Sequence, residues 1–454
     1  MIAPARVAAY DILTAVSTGR TDLPTAVAHV RATLGDERDR SLASEIATGV
    51  LRWRLTLDHV IADAAKRPLS RLDGEILEIL RIGAYQLLHL SRVPASAVVD
   101  DAVDMARRAG KTSAGGLVNA VLRSLSRARE ALPLPARPTA AADRAAALDY
   151  LSIALSHPRW LAARWYDRLG LATAERWMTF NNRAAPLTLR ANTLRTSAVD
   201  LRERLAEAGV VTRPGRYAPD ALIVESGHPL RDAVADEGRF LVQDEASQLV
   251  ALLAGDDPGP RVLDACASPG GKATALAAAV HGRGHVVACD VRDRRMALLR
   301  KTTESAGADN IWLVQADLTE PPPFRDTFTC VLLDAPCSGL GTLRRDPDIK
   351  WRRQESDLGP LASVQARMLG RAAAMVAPGG RLVYATCSSE PEENEEIVSG
   401  FLRHTPHFRA LDARAAHRAL PPSVVDGLGQ FRTSPAEHDL ECFFGAVFER
   451  ARDL

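Results

Sequence analysis

The 454-residue chain is long enough for two to four domains of roughly 100–200 residues each, which excludes a single small module. Apolar residues make up 46% and charged residues 25%, so every domain can bury a core and wholesale disorder is excluded. The formal net charge is +1, so composition gives no reason to expect nucleic acid as a partner, and any basic surface must be local.

No run approaches the roughly 18 uninterrupted apolar residues of a membrane span, and the start (MIAPARVAAYDIL) lacks a secretory pattern. A cytoplasmic chain with no membrane partner is expected. Lysine occurs only at 66, 111, 272, 301 and 350, so the remaining basic residues are arginines. Base bias of a genome explains such a skew, although guanidinium groups also suit phosphates and bases. The six cysteines (Cys266, Cys289, Cys330, Cys337, Cys387 and Cys442) lie in the last two-fifths of the chain, with neither a CxxC pair nor zinc spacing. A disulfide scaffold is excluded and no metal is expected.

In chain order, residues 1–130 read as an all-helical domain. Apolar residues recur at helical spacing from Ile76 to Leu88, from Val98 to Ala106 and from Leu117 to Leu122. ALPLPARPTAAADRAAA, 131–147, is Pro- and Ala-rich without an apolar period and reads as a linker. Residues 148–239 begin with a helical stretch carrying Trp160, Trp165 and Trp177. An extended run at Leu187–Asn192, a helix near 197–208 and a second extended run at Ala221–Glu225 follow, as in a small α+β domain.

From 240 to 454 apolar runs alternate with helices. Val262–Cys266, His285–Asp290, Ile311–Gln315, Thr329–Asp334 and Arg381–Ala385 predict an α/β domain with a parallel sheet covered on both faces, and Cys442–Phe448 a last strand.

Ligands of such sheets bind beyond the carboxyl ends of the strands. The first strand runs into Cys266-Ala267-Ser268-Pro269-Gly270-Gly271-Lys272, where glycines let backbone approach a ligand at a helix N-terminus. A phosphate loop fails in detail, because it needs Gly at 266 and a hydroxyl at 273, where Cys266 and Ala273 stand. Asp290 ends the second strand, where a carboxylate accepts from a ribose diol, and Asp317 follows the third, beside the place for an adenine. Each Asp alone is explained equally by a helix cap; together they point to an adenosyl cofactor.

The fourth strand ends in Asp334-Ala-Pro-Cys337-Ser-Gly and the fifth in Thr386-Cys387-Ser388. Each cysteine alone reads as buried packing, as Cys266, Cys289 and Cys330 do. Two at neighbouring strand tips beside a carboxylate make a covalent site. Cytosine C5 takes a methyl group only once a thiolate has added to C6, and an acid at N3, here Asp334, stabilises the charge shift. Residue chemistry does not order the two thiols.

The segments DACASPGGKAT, LLDAPCSGLGTLRRDPDIKW and YATCSSEPEENEE resemble motifs of the NOL1/NOP2/Sun RNA cytosine-5 methyltransferases, in their bacterial Sun branch. RIGAYQLLHLSRVPASAVVDDAVDMARR and GLVNAVLR are similar to that branch's NusB-like domain, and LTLRANTLRTS and VQDEASQLVA to its RNA-contacting insert and lead-in helix. The resemblance covers nearly the whole chain. It implies a Rossmann-like class I methyltransferase domain preceded by an all-α NusB-like domain and a small α+β RNA-binding insert. It further implies S-adenosylmethionine held by Cys266–Lys272, Asp290, Asp317 and Asp334, with Cys387 as nucleophile and Cys337 freeing the product. DNA cytosine-5 methyltransferases, whose Pro-Cys dipeptide supplies the nucleophile, favour Cys337 instead; the family match selects Cys387. The implied substrate is cytosine 967 of 16S ribosomal RNA. Ser268 stands where Ala is common, and His438-Asp-Leu-Glu-Cys-Phe-Phe444 departs from the usual Asp-Gly-Phe-Phe.

RNA contacts are expected from Arg344, Arg345, Lys350, Trp351, Arg352 and Arg353, and from Arg190, Arg195, Arg213 and Arg216 in the insert, against a merely solvated charged face. His404 and His407 read as surface residues, and Glu390–Glu396 as an acidic helix start. A monomer is the default. The same chemistry on transfer RNA, or a catalytically silent NusB-like binding factor, are the alternatives, the intact Cys337/Cys387/Asp334 set opposing the second.

Overall fold

The computed structural model describes residues 2–139, 143–231, 233–321, 324 and 328–452. The chain divides into two compact units. The first is Met1–Ala184 with Leu343–Glu355, and the second is Ala185–Thr342 with Ser356–Leu454.

The first unit starts with seven helices: α1 Pro4–Ser17, α2 Leu23–Thr33, α3 Glu37–Arg52, α4 Arg54–Ala65, α5 Gly74–His89, α6 Ala95–Arg108 and α7 Gly115–Arg127. Asp22, Asp36 and Asp73 cap α2, α3 and α5 by accepting from the N–H of Thr25, Arg38 and Glu75. The apolar stripes predicted in α5, α6 and α7 (Ile79, Leu80, Val98, Ala102, Val118, Leu122) meet in one buried core with Ile12, Leu57 and Ile61. Gly49 of α3 lies against the Tyr85 ring of α5, so that a methyl group there would overlap the ring. Gly49→Ala is expected to cost about 1–3 kcal/mol, the usual range for overpacking, read as a lower urea midpoint with unchanged m-value.

Asp143 caps α8 (Arg144–Asp149), so the end of the proposed linker is helical; residues 140–142 lie outside the described ones. Helices α9 (Arg159–Leu169) and α10 (Leu171–Asn181) bury Trp165 and Trp177 against each other, their ring centroids 5.4 Å apart. The sequence grouped this lead-in with the α+β segment; in the fold the residues up to Ala184 pack with the first unit, as does 343–355, which the sequence placed in the catalytic domain. The reason lies in α15 (Ile349–Arg352), whose Lys350 and Trp351 are built into the first unit as described below.

The second unit opens with β1 (Thr188–Ala191), α11 (Ala198–Glu207), β2 (Val211–Pro214), β3 (Ala221–Ser226) and β4 (Phe240–Val242), an antiparallel sheet ordered β2-β3-β1-β4. Then come α12 (Glu245–Leu252), β5 (Arg261–Asp264), α13 (Gly271–Ala279), β6 (His285–Asp290), α14 (Asp293–Ala306), β7 (Ile311–Gln315) and β8 (Phe328–Asp334). After the excursion to α15 follow α16 (Leu358–Ala374), β9 (Val376–Thr386), α17 (Glu395–His404), β10 (Phe408–Leu411), β11 (Phe431–Arg432), α18 (Pro435–His438) and β12 (Phe444–Arg450).

The large sheet is ordered β10-β12-β9-β8-β5-β6-β7. Strands β5 to β9 pair in parallel, and β12 runs antiparallel to β9 and β10. Alternate residues feed opposite faces: Val262, Cys330, Leu332 and Val383 join one core, Leu263, Val331, Leu333 and Leu382 the other. That is why the strands read as continuous apolar runs. Chain order reverses between β5 and β8, so the binding crevice of this sheet opens at Asp264 and Asp334.

Candidate active site

The loop after β5 is shaped by Gly270, whose φ of +112° belongs to glycine and whose missing Cβ would sit 3.0–3.2 Å from Thr302 and Leu299. It delivers Lys272 at the start of α13, where Nζ donates to Asp334 Oδ2 at 2.7 Å and lies 5.7 Å from the Phe443 ring centre. Although buried, this lysine holds its proton more firmly than usual, since the charges of Asp334, Asp264 and Cys387 outweigh desolvation. Asp290 is buried and engaged by the N–H groups of Ser268 and Val291 and by Arg295 Nε at 3.3 Å.

A cavity of about 370 Å³ is lined by Cys266–Pro269, Gly271, Lys272 and Asp334 on one side and by Leu241, Gln243, Lys301 and Ser305 among others on the other. Asp317 is not among its lining; it is exposed, and its Oδ1 accepts from Thr319 N and Oγ1 as a turn cap.

Asp264 is fully buried, and among the described residues neither carboxylate oxygen has a hydrogen-bond partner of good geometry. Burial, reinforced by the charge of Asp334, pushes its carboxyl up to about 7. Asp334 lines this cavity with Lys272 beside it, and buried Asp290 accepts from Ser268 N of the loop that forms its wall, an arrangement of carboxylates that suits a ligand bearing a positive charge and hydroxyl groups. A sulfonium compound with an adenosyl group is such a ligand, and S-adenosylmethionine is the cofactor these residues fit.

The raised carboxyl of Asp264 gives a testable pH dependence. The folded state keeps a proton that the unfolded chain releases near pH 4, so stability falls as pH rises from about 4 to 7. Asp264→Asn is therefore expected to gain on the parent protein between pH 5 and 7.5 in urea unfolding. Parallel stabilities at the two pH values would refute the titration of Asp264 in this window.

At the tips of β8 and β9, Cys337 Sγ and Cys387 Sγ lie 3.0 Å apart. Gly341 makes this approach possible. Its N–H donates to Cys387 O and its carbonyl accepts from Cys442 N, both at 2.9 Å, and any Cβ there would strike the carbonyls of Cys442 and Cys387. The departing segment His438–Phe444 thereby closes the wall with backbone contacts, independent of its altered side chains. The Cys337 thiol is held well above its usual range, first by its hydrogen bond to Cys387, then by burial and by the charges of Cys387 and Glu393. Cys289, Cys330 and Cys442 are buried, and Cys266 lies two residues past β5 with its thiol pushed up by burial.

The sequence missed Glu393. It falls in the acidic run read as a helix start, and Glu395 and Glu396 do begin α17, but Glu390 and Glu393 are fully buried. A buried carboxylate joined to both cysteine loops is visible only once β8 and β9 are side by side.

The expected RNA contacts need correction. Lys350 is buried at 1% exposure; its Nζ donates to Arg52 O (3.2 Å), Ser156 O (3.1 Å) and Asn182 Oδ1 (2.8 Å), and burial drives its proton affinity far down. Trp351 Nε1 donates to Leu51 O at 2.7 Å, and buried Arg344 stacks on Phe180 at 4.1 Å. These three hold 343–355 in the first unit; Lys350 and Arg344 are buried away from any RNA, whereas Trp351 is half-buried. Arg190 is likewise buried, bonded to Gln243, Gly271 O and Thr274, and braces the start of α13. Arg195 is bonded to Ala306 O and Glu237 O. Arg345 is half-buried, while Arg213 and Arg216 on the β2 side are exposed. His404 and His407 are exposed, and among the described residues no cluster of three or more His, Cys, Asp or Glu is placed to hold a metal. Among the same residues no helix is long and apolar enough to cross a membrane.

Residues 251–449 match the family described as 16S rRNA methyltransferase RsmB/F, 3–127 the NusB family, and 157–231 the ferredoxin-like domain of RsmF/B-like methyltransferases. The ribosomal RNA small subunit methyltransferase B of Pseudomonas putida is 36% identical over 413 residues, 90% of this chain and 91% of that one. The chain belongs to the RsmB/F methyltransferase family. Its RsmB relative in Xanthomonas campestris is 34% identical over 452 residues, 98% of this chain and 97% of that one. Among solved structures, PH0851 has a TM-score of 0.80 at 25% identity over 99% of both chains. A methyltransferase homolog from Pyrococcus horikoshii reaches 0.57 at 27% identity, over 67% of this chain and 98% of its own. The RsmB/F assignment accounts for the three-part architecture of NusB-like helices, ferredoxin-like insert and Rossmann-like methyltransferase sheet, and makes the protein an RNA methyltransferase.

Proposed function

We propose that the protein methylates C5 of a cytosine in 16S ribosomal RNA, cytosine 967 in the family's numbering, through a covalent adduct between Cys387 Sγ and C6. The observation that carries this reading is the thiol pair, 3.0 Å apart at neighbouring strand tips beside the Lys272–Asp334 ion pair. S-adenosylmethionine, held by Cys266–Lys272 with Asp290 and Asp334, supplies the methyl group.

Cys337 holds its proton firmly, and Cys387, near the Lys272 cation, is the sulfur that attacks. When Cys387 bonds to C6, the electron pair of the C5–C6 double bond moves to C5, which takes the methyl group, while Asp334 engages N3. Bonding of Cys387 to C6 removes the hydrogen-bond partner that contributes most to holding the proton on Cys337, which then releases it to solvent. The Cys337 thiolate then takes the C5 proton, the double bond reforms, and Cys387 leaves as thiolate. The target base must leave its stack to reach the sulfurs.

Mapping of 5-methylcytosine in ribosomal and transfer RNA, with and without the gene, tests the reading. A single cytosine lost from 16S RNA is the expected result. Loss from transfer RNA would move the substrate, and unchanged maps would favour a silent binding factor.

A further inference from the structure

Glu393 is fully buried between the two cysteine loops and makes no contact with solvent. Its Oε1 accepts from Ser338 N, the residue after Cys337, at 2.8 Å, and from Gln365 Nε2 at 2.8 Å; its Oε2 accepts from Ser388 Oγ, the residue after Cys387. Ser338 Oγ and Ser388 Oγ are themselves 3.1 Å apart. Gln365 Nε2 also donates to Pro336 O at 3.0 Å, and Tyr384 OH to Glu393 O at 2.6 Å. One carboxylate thus gathers the strand tips of β8 and β9, the face of α16 and the 3₁₀ turn before α17.

From this geometry we infer that Glu393 is a positioning residue: it holds Cys337 and Cys387 in register, and its carboxylate, tied to the residue after Cys337, fits Cys337 as the member of the pair that removes the C5 proton. The inference rests on the adduct mechanism proposed above. An amide of the same shape fills the same space but accepts at only one of its two atoms, so Glu393→Gln removes the charge together with one of the accepted hydrogen bonds, and the adduct level separates the two effects. Stripping the charge leaves the attack of Cys387, which the Lys272 cation supports from the other side, but weakens the base needed for release. Among the described residues, the groups facing Cys337 include Cys387 from the β9 tip, Tyr384 of β9, Glu393 from the turn before α17 and the Gly339 N–H of its own loop.

Glu393→Gln in the full chain is the test, with Ser388→Ala as a milder partner that deletes one of the three hydrogen bonds. The expected result is a kcat about 100-fold lower, KM for RNA and cofactor within about twofold, and accumulation of a covalent protein–RNA adduct on denaturing gels. Ser388→Ala should lie between this and the parent. A loss of packing predicts the opposite for the adduct, because misplaced thiols form less of it.

An unchanged kcat, or a kcat loss with less adduct than the parent, would overturn the inference. Should Glu393→Gln not fold, parental kcat and adduct level in Ser388→Ala overturn it as well. Failure of the adduct mechanism itself would appear separately, as no trapped RNA in Cys337→Ala. Glu393 is then judged by iodoacetamide labelling of the protein alone. Faster modification of Cys337 at neutral pH in Glu393→Gln, with buried Cys330 still unreactive, supports the charge role, and unchanged labelling refutes it.

Discussion

Cys387→Ala is expected to lower methyl transfer by at least about 10⁴-fold, the scale of losing a nucleophile, and to form no covalent RNA species. Cys337→Ala should instead accumulate RNA bound to protein through a bond that survives denaturing electrophoresis, because attack and methylation precede the step that needs the second sulfur. The charges around the pair support this proposed ordering: Cys387 acts on Lys272, whereas Cys337 lies near the buried carboxylate of Glu393. Both variants remove one atom from a half-buried position, so folding should survive and cofactor binding serve as control. RNA trapped by the Cys387 variant would reverse the roles, as the Pro-Cys dipeptide of the DNA enzymes suggests.

Lys272→Met should be the most damaging charge substitution in the site. The side chains of Lys272 and Asp334 are 13% and 24% exposed, and removing one partner of a pair this far from solvent costs about 3–5 kcal/mol. The loss is enlarged by Asp264, which lies in the fields of Asp334 and Asp290 and is eased by the charge of Lys272. Adding Asp334→Asn should return part of the lost stability, since it removes one of the stranded charges. Urea unfolding of the two single variants and the double variant closes the cycle. A Lys272→Met protein within about 0.5 kcal/mol of the parent would show the pair to be no more than a surface ion pair.

What the sequence disclosed and what it hid divide along a physical line. β5, β8 and β9 were legible because a strand buried on both faces writes its burial into consecutive residues, and the tip cysteines stood out at the ends of such runs. The glycine-rich loop was legible for the same local reason. Lys350 and Arg344 were misread because a basic stretch looks solvated until its partners are known, and those are the carbonyls of Arg52 and Ser156 and the Asn182 amide for Lys350 and the Phe180 ring for Arg344. Arg190 was misread likewise, its partners Gln243 and Thr274 belonging to other elements. Glu393 was absorbed into a plausible helix start. The strands that escaped notice, β2, β4, β10 and β11, have two to four residues each, too few for a period.

The return of 343–355 to the first unit bears on how the protein is made. During synthesis Ala184 leaves the ribosome well before Glu355, and at about 5–20 residues per second the delay amounts to about ten to thirty seconds. Throughout it the carbonyls and amide that will receive Lys350 stand open to water, while β1 to β8 of the second unit have already emerged. The N-terminal helices therefore reach their final stability only after most of the catalytic sheet exists, so that a truncated chain ending between the two is left without its own keystone.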